Sequence, residues 1–301
     1  MKRHILLGTD FWTDCDDVAA LRLLCRLAKR GVWKVDGVIL NACMPYSAPA
    51  LDGFLKRDGV VCPIGIDREA VDFGGNPPYQ KRMAEVCGSR MTNEDCEEGV
   101  SLYRRILAAN PDGETDILEI GYPQVLAALL ASPPDAYSPL DGTALFAKKI
   151  RCVWVMGGNW ADGGHGKENN FSRNRRAAEG AHTFLARCPV PITFLGFEVG
   201  CTVMTRPIPE ESDPLFRAFR DHGSEKGRSS WDPMLVLLAA SDDPAAAGYE
   251  TKAGLASVDP VTGENFFDFA PADPIRRDRY VIKSRPDAWY EEKLTAALYG
   301  N

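Results

Sequence analysis

The chain has 301 residues and a formal net charge of −7, and 45% of its residues are hydrophobic and 26% charged. This composition is typical of a globular protein and excludes a disordered chain, while its length fits one α/β domain spanning residues 1–301. Because the chain is acidic and has no long Lys/Arg run, it lacks the concentrated basic surface that nucleic acids require, so we expect small molecules and a metal cation as ligands.

The cysteines and the first residues predict where the protein resides. The nine cysteines are odd in number and include no C-x-x-C pair, which favours free thiols in a reducing cytosol. After the basic Lys2 and Arg3, the apolar run Ile5 to Leu7 is too short for a signal-peptide core or a membrane span. The sequence therefore predicts a cytoplasmic protein without a membrane partner.

Short apolar runs bounded by Gly, Pro, Asp or Asn predict buried strands. Helical periodicity lies between them, as in Asp17 to Arg30 and Gln124 to Ala131. This alternation predicts an α/β fold with an open, mostly parallel twisted sheet and helices on both faces. In such a fold, ligands bind beyond the carboxyl ends of the strands. The predicted strands are Ile5 to Leu7, Val35 to Leu40, Val60 to Ile66, Ile117 to Ile120, Cys152 to Met156 and Ile192 to Leu195.

Two later stretches have no clear periodicity. Pro207 to Arg228 mixes charge, Pro and Gly, and we expect a mobile flap ahead of the next helix. Pro260 to Arg279 is expected to be an irregular excursion before a terminal helix. Neither has the character of a linker, which agrees with a single domain.

The most informative segment follows the first predicted strand and contains Asp10, Asp14, Asp16 and Asp17. Carboxylates this close repel one another unless a cation is bound, and oxygen ligands suit Ca²⁺ or Mg²⁺. Stabilisation of a helix N-terminus accounts for Asp16 and Asp17 only. The segment lacks the central Gly and final Glu of an EF-hand, and Trp12 stands where a haloacid-dehalogenase-type phosphatase has its second Asp.

Together with later motifs, this segment resembles the inosine-uridine nucleoside hydrolase family, in which the first strand runs into an aspartate cluster ending in Asp-Asp. The similarity follows the family's order from residue 5 to about residue 240. The later motifs are Leu40-Asn41, Gly121-Tyr122-Pro123-Gln124, Val155-Met156-Gly157-Gly158, Glu168-Asn169-Asn170-Phe171, Ala177-Ala178 and Ser230-Trp231-Asp232-Pro233.

The resemblance implies a Ca²⁺-dependent hydrolase that cleaves the N-glycosidic bond of a ribonucleoside to ribose and free base. It makes Asp16 the base that takes a proton from the attacking water. The family's spacing is Asp-x-Asp-x-x-x-Asp-Asp, so Asp10 or Asp14 completes the metal site here, and we favour Asp10 because it terminates the strand. The other implied metal ligands are Asp17, Asp232 and the carbonyl of Gln124.

The resemblance also assigns substrate contacts. Asn41, Glu168 and Asn170 match residues that hydrogen-bond the ribose hydroxyls. Trp231 stands where members acting on inosine and uridine often have a His that protonates the leaving base, and we expect it to contact the sugar or the base. Candidate replacements for that acid or for a stacking platform are His165, His222, Trp12, Trp160 and Tyr79.

Other functions are compatible with parts of this pattern. Asp232 before Pro233 also suits a helix N-cap. A catalytically weak, metal-dependent ribose- or nucleoside-binding protein is the main alternative, although binding alone needs no base at Asp16. A phosphotransferase is disfavoured because no Gly-rich phosphate-binding motif is present. The resemblance further implies a homodimer or homotetramer.

Overall fold

The computed structural model describes residues 2–271 and 278–300. Within these residues the chain forms an 11-stranded sheet, a two-stranded sheet and helices that flank them. The strands are β1 Arg3–Thr9, β2 Trp33–Leu40, β3 Ile64–Ile66, β4 Glu97–Glu98, β5 Thr115–Glu119, β6 Ile150–Met156, β7 Gly166–Lys167, β8 Ile192–Leu195, β9 Met204–Thr205, β10 Arg228–Ser229, β11 Tyr249–Val258, β12 Glu264–Asp268 and β13 Asp278–Lys283. The helices are α1 Asp16–Lys29, α2 Ser47–Arg57, α3 Gln80–Cys87, α4 Gly99–Ala109, α5 Gln124–Ala131, α6 Gly142–Lys149, α7 Asn169–Ser172, α8 Arg175–Arg187, α9 Phe197–Gly200, α10 Pro214–Asp221, α11 Trp231–Ser241 and α12 Asp287–Tyr299, with a 3₁₀ turn at Asn93–Asp95.

The large sheet has the order β4-β3-β2-β1-β5-β6-β8-β13-β11-β12-β7. Neighbours from β4 to β13 pair in parallel, whereas β11, β12 and β7 continue the sheet in antiparallel pairs. The predicted mostly parallel sheet is confirmed.

Successive side chains of β1 point to opposite faces of the sheet, and a hydrophobic core lies on each face. Ile5 and Leu7 pack into a core with helices α1, α2, α11 and α12, whereas Leu6 packs on the opposite face with α4, α5, α6 and α8. Burying each such side chain stabilises the fold by about 1.5–3 kcal/mol. Helices on both faces are therefore confirmed, and they fix the strand ends that carry the polar residues.

The strand predicted over Val60 to Ile66 is too long. Only Ile64–Ile66 pairs in the sheet, because Val61 points outward and is 80% exposed. The other predicted strands correspond to β1, β2, β5, β6 and β8.

The predicted flap from Pro207 to Arg228 is also wrong in part, because it contains helix α10. Asp213 caps this helix by accepting a hydrogen bond from Leu215 N at 3.0 Å, and Pro214 occupies its first turn. Leu215 and Phe219 are fully buried, so hydrophobic packing holds this segment against the domain.

The stretch from Pro260 to Arg279 is more regular than expected. Glu264–Asp268 forms β12, an antiparallel partner of β11, and Asp278 begins β13. Residues 272–277 of that prediction lie outside the described part of the chain. None of the nine cysteines, all of which the structure describes, forms a disulfide. Among the described helices, none is both long and apolar enough to cross a membrane.

Candidate active site

A cavity of about 300 Å³ lies at the carboxyl ends of the central strands. Asp10 follows β1, Ile120 follows β5, Met156 ends β6, and Phe197 comes shortly after β8. Because these parallel strands end at one edge of the sheet, distant parts of the sequence meet there. The other lining residues are Trp12, Thr13, Asp14, Asp16, Asp17, Glu168, Asn169, Asn170, Arg173, Arg228, Trp231 and Asp232.

Three aspartates converge at the base of this cavity. Asp16 and Asp17 begin α1 and Asp232 lies in the first turn of α11, yet each offers a carboxylate oxygen within 4.8 Å of the others. Packing of α1 against α11 brings these two helix N-termini together. Their positive dipole ends favour negative charge at this point.

Backbone hydrogen bonds hold Asp16 in a fixed orientation. Its Oδ2 accepts the N–H groups of Trp231 and Asp232, each at 3.1 Å. Among the described residues none donates to Oδ1, which leaves this oxygen for chemistry within the cavity. Asp16 thus connects the acidic segment directly to the start of α11.

The backbone is strained where the acidic segment leaves β1. Phe11 has φ 41°, an uncommon value for a residue other than glycine. Its N–H donates to Asp17 Oδ1 at 3.2 Å, and its carbonyl accepts a hydrogen bond from Gln80 Nε2. Thr9 also donates to Asp17 Oδ1 through its hydroxyl. These contacts fix Asp17 beside Asp10.

The buried carboxylates of this cluster could hold a cation. Burial raises the pKa of Asp10 to about 8, with further contributions from neighbouring carboxylates. Burial, followed by carboxylate repulsion, also raises the pKa values of Asp16, Asp17 and Asp232 well above their usual range. No Lys or Arg of the described chain forms an ion pair with these four groups. An all-oxygen donor set without a direct ion pair fits a hard divalent cation.

Asp14 lines the same cavity as these four aspartates, but its negative charge is balanced by a nearby arginine. Arg228 holds its carboxylate with three hydrogen bonds, from Nε to Oδ1 at 2.9 Å and to Oδ2 at 3.2 Å, and from Nη2 to Oδ2 at 2.5 Å. His222 lies 4.0 Å from Asp14, and burial lowers the pKa of this His. Asp14 is therefore compensated by protein, whereas Asp10 is not.

Glu168 and Asn170 line the cavity from the start of α7. Glu168 accepts hydrogen bonds from Asn170 N at 2.7 Å and Gly158 N at 3.1 Å, and burial raises its pKa to about 7. Asn170 donates through Nδ2 to the Met156 carbonyl at 3.1 Å. These hydrogen bonds to the backbone fix both side chains at the cavity wall.

Asn41 and Gln124 lie behind the cavity wall. Asn41 Nδ2 donates to Glu119 Oε1 at 2.7 Å, and Asn41 Oδ1 accepts from Tyr122 N at 3.1 Å. Gln124 Nε2 donates to the Asn41 carbonyl at 2.6 Å and to Asp67 Oδ2 at 3.1 Å. Neither residue is among the described lining residues, so the ribose contact of Asn41 and the metal contact of the Gln124 carbonyl stay predictions.

Glu119 is a residue that the sequence reading missed. It is fully buried in β5, its Oε2 has no hydrogen-bond partner among the described residues, and burial raises its pKa to about 8. A Cβ at Gly8 would lie 2.2 Å from Oε2, so the close approach of β1 requires glycine there. The available signal was a carboxylate inside a predicted buried strand.

Aromatic rings flank the cavity on two sides. Trp231 stacks on Phe197 with ring centroids 5.4 Å apart, and its indole Nε1 donates to the Phe197 carbonyl at 2.8 Å. Trp12 lines the other side, with the Arg173 guanidinium 4.6 Å from its ring centre. The other candidates from the sequence, Trp160, Tyr79, His165 and His222, do not line the cavity in the described structure.

No family model matches the sequence, and no curated protein is significantly similar to it. Solved structures do match: a plant nucleoside hydrolase has 13% identity and a TM-score of 0.70 over 100% of both chains. The type III effector protein XopQ, complexed with adenosine diphosphate ribose, has 15% identity and a TM-score of 0.70, covering 99% of this chain and 94% of that chain. The nucleoside hydrolase fold is therefore confirmed.

Proposed function

We propose that this protein hydrolyses the N-glycosidic bond of a ribonucleoside or related riboside, releasing ribose and free base. The observation that carries the proposal is the convergence of Asp16 and Asp17 with Asp232, 216 residues from Asp16 in the sequence, in a cavity at the carboxyl ends of the strands. The plant nucleoside hydrolase and the effector complexed with adenosine diphosphate ribose support a ribose-containing ligand for this fold.

The proposed cation is Ca²⁺, held by Asp10, Asp17 and Asp232, with the Gln124 carbonyl as a further proposed ligand. Asp10 is preferred to Asp14 because Arg228 already compensates the Asp14 carboxylate. When bound, the cation supplies Lewis-acid activation of a water molecule and orientation of the ribose hydroxyls.

Asp16 is the proposed general base. Its Oδ2 is occupied by two backbone donors, so Oδ1 is the oxygen that receives the proton from water as the water oxygen attacks C1′. The C1′–N bond breaks, and its electron pair leaves with the base, which takes up a proton from solvent or from an acid. Glu168 and Asn170 are proposed to hold ribose hydroxyls, and the Trp231–Phe197 pair to contact the base.

We include the whole chain, residues 1–301, in one domain, because a single sheet takes strands from β1 near the N-terminus and β13 near the C-terminus. In this sheet β5, β6 and β8 lie between β1 and β13.

A metal-dependent binding protein without efficient turnover is the second candidate. The observation that favours it is Trp231 in place of the acid, since no described lining residue is a His. A base with a poor leaving group departs slowly when nothing protonates it. The geometry of Asp16 favours the enzyme, because binding alone does not require an oriented carboxylate beside the metal ligands.

The test is a screen of purine and pyrimidine nucleosides for ribose release, with added Ca²⁺ and with chelator. Asp16→Asn is expected to reduce kcat about 10²–10⁴-fold while Ca²⁺ still binds, because proton transfer is lost but the ligands remain. Its matched variant, Asp17→Asn, is expected to lose Ca²⁺ itself, as measured by calorimetry. Equal loss of metal in both variants contradicts the assignment, and tight nucleoside binding without release by the wild type supports the second candidate.

A further inference from the structure

Arg173 is the cation of the cavity wall that has no carboxylate partner in the part of the chain the structure describes. Its Nε and Nη2 both donate to the Phe73 carbonyl, at 3.1 and 3.0 Å. The guanidinium plane lies over Trp12, which holds it in place. Arg228, in contrast, is already paired with Asp14. Arg173 Nη1 donates no hydrogen bond to any residue that the structure describes, and the side chain lines the cavity.

The chemistry of the cavity limits where an anionic substituent of the substrate can lie. Asp10, Asp16, Asp17 and Asp232 line the part of the cavity proposed for the ribose 2′- and 3′-hydroxyls, so a phosphate on either oxygen would lie against a cluster of carboxylates. The base is directed to the Trp231–Phe197 pair. The 5′-oxygen is the remaining position of a ribonucleoside that can carry a charged group.

We propose that the substrate is a ribonucleoside with a phosphate ester on its 5′-oxygen, and that Arg173 binds this phosphate at the cavity mouth. The inference rests on the proposed function for the orientation of the sugar. Arg173 is exposed, so the phosphate keeps part of its hydration while gaining charge-assisted hydrogen bonds from a planar guanidinium. Mono- and diphosphate esters share this chemistry.

A purely structural role for Arg173 would be to tether the segment that contains Phe73. Arg176 offers the matched comparison, because it tethers the same segment through Asp72 Oδ1 and the Glu69 carbonyl, both at 2.8 Å. Arg176 is not among the described residues that line the cavity. Loss of tethering alone should therefore affect both arginine variants alike, whereas loss of phosphate binding should affect only Arg173.

Binding to the full chain with Ca²⁺ is measured by calorimetry for adenosine, adenosine 5′-monophosphate, adenosine 5′-diphosphate and adenosine 3′-monophosphate. The 5′-monophosphate is expected to bind at least about 10-fold more tightly than adenosine, and the 3′-monophosphate more weakly. Arg173→Ala should remove the 5′-phosphate advantage and leave adenosine within about twofold, while Arg176→Ala retains it. A preference for the diphosphate over the monophosphate identifies the longer ester as the ligand.

Arg173→Gln separates charge from tethering, because its amide can still donate to the Phe73 carbonyl, and it should also lose the advantage. Equal binding of adenosine and its 5′-monophosphate, or an advantage that survives both Arg173 variants, overturns the proposal. Base release from the same ligands is followed separately. If none of the ligands is hydrolysed but the 5′-phosphate esters still bind more tightly in an Arg173-dependent way, the proposed reaction is refuted and this inference stands.

Discussion

At the scale of single residues, Glu119 supports the candidate site by accepting hydrogen bonds from Asn41 and Gly121. Its Oε1 accepts hydrogen bonds from Asn41 Nδ2 at 2.7 Å and Gly121 N at 3.2 Å, whereas Oε2 has no partner among the described residues. The bonds to Oε1 lower the pKa of Glu119, but burial outweighs them and raises it to about 8. At neutral pH the protonated carboxyl therefore predominates, positioning Asn41 without adding full charge below Asp10.

This shift predicts how stability changes with pH. The unfolded-state pKa of Glu is about 4.3, so folding favours the protonated form. Ionisation of the buried Glu119 lowers the free energy of unfolding. This loss is absent below the unfolded-state pKa, grows as pH rises, and is complete above about pH 8. The Gln side chain of Glu119→Gln cannot ionise. We therefore expect the free energy of unfolding of the variant, relative to that of the wild type, to increase by about 2–4 kcal/mol from pH 5 to pH 8.

Urea unfolding of both proteins with saturating Ca²⁺ measures this difference. Glu85→Gln, at an exposed glutamate, serves as the control and should show no such trend. A constant difference between wild type and Glu119→Gln across this pH range would contradict the buried, protonated carboxyl.

At the scale of secondary structure elements, the N-terminus of α11 combines three functions. Its first two N–H groups orient Asp16, Asp232 joins the carboxylate cluster, and Trp231 forms the aromatic wall with Phe197. Gly200 permits this packing, since a Cβ there would lie 2.4 Å from the Trp231 ring. One helix end thus links the proposed base, metal ligand and leaving-group contact.

Trp231→Ala tests the leaving-group contact. Stacking on aromatic rings contributes about 1–3 kcal/mol for a nucleobase, so we expect kcat/KM for inosine to fall about 10-fold or more. p-Nitrophenyl riboside has a good leaving group that needs no proton, so the wild type should cleave it much faster than inosine or uridine, and the variant should affect it less. Purines should be preferred to pyrimidines because their larger rings stack more extensively.

The measurement is kcat/KM for inosine, uridine and p-nitrophenyl riboside in wild type, Trp231→Ala and the control Trp289→Ala. Trp289 lies on α12 and packs against Tyr290 instead of lining the cavity. Rapid uridine hydrolysis that Trp231→Ala leaves unchanged would show that an acid outside this wall protonates the base.

Element positions were predictable where one physical signal decides them. Buried parallel strands such as β1 and β6 are continuous apolar runs, and the residues after them had to meet at one edge. β11 was missed because Lys252, Gly254 and other residues of low strand propensity pair as a partly exposed antiparallel strand. The Asp14–Arg228 pair, 214 residues apart in the sequence, depends on tertiary contacts that no local pattern encodes.

At the scale of the whole molecule, the carboxylate cluster joins two parts of the chain. Asp10 and Asp17 come from the first β–α unit, whereas Asp232 belongs to α11, which follows β10 in the chain. α1 packs against α11, so folding forces these buried like charges together. Their burial, together with their mutual repulsion, destabilises the metal-free protein, and a bound cation would make the same contacts a link between the two parts.

Metal binding should therefore be visible as global stability. A ligand that binds only the folded state at 100 times its Kd stabilises by about 2.7 kcal/mol, which for a chain of this size raises Tm by about 4–8 °C. We expect Ca²⁺ to produce such a rise in calorimetric scans, chelator to reverse it, and Mg²⁺ to produce a smaller one because it demands stricter octahedral geometry.

Asp232→Asn should abolish the Ca²⁺ response and, by removing one repelling charge, match or exceed the wild-type Tm in chelator. Asp141→Asn, at the exposed N-cap of α6, is the control that should retain the response. A Tm that Ca²⁺ leaves unchanged in the wild type, or a full response in Asp232→Asn, would refute a metal site that spans α1 and α11.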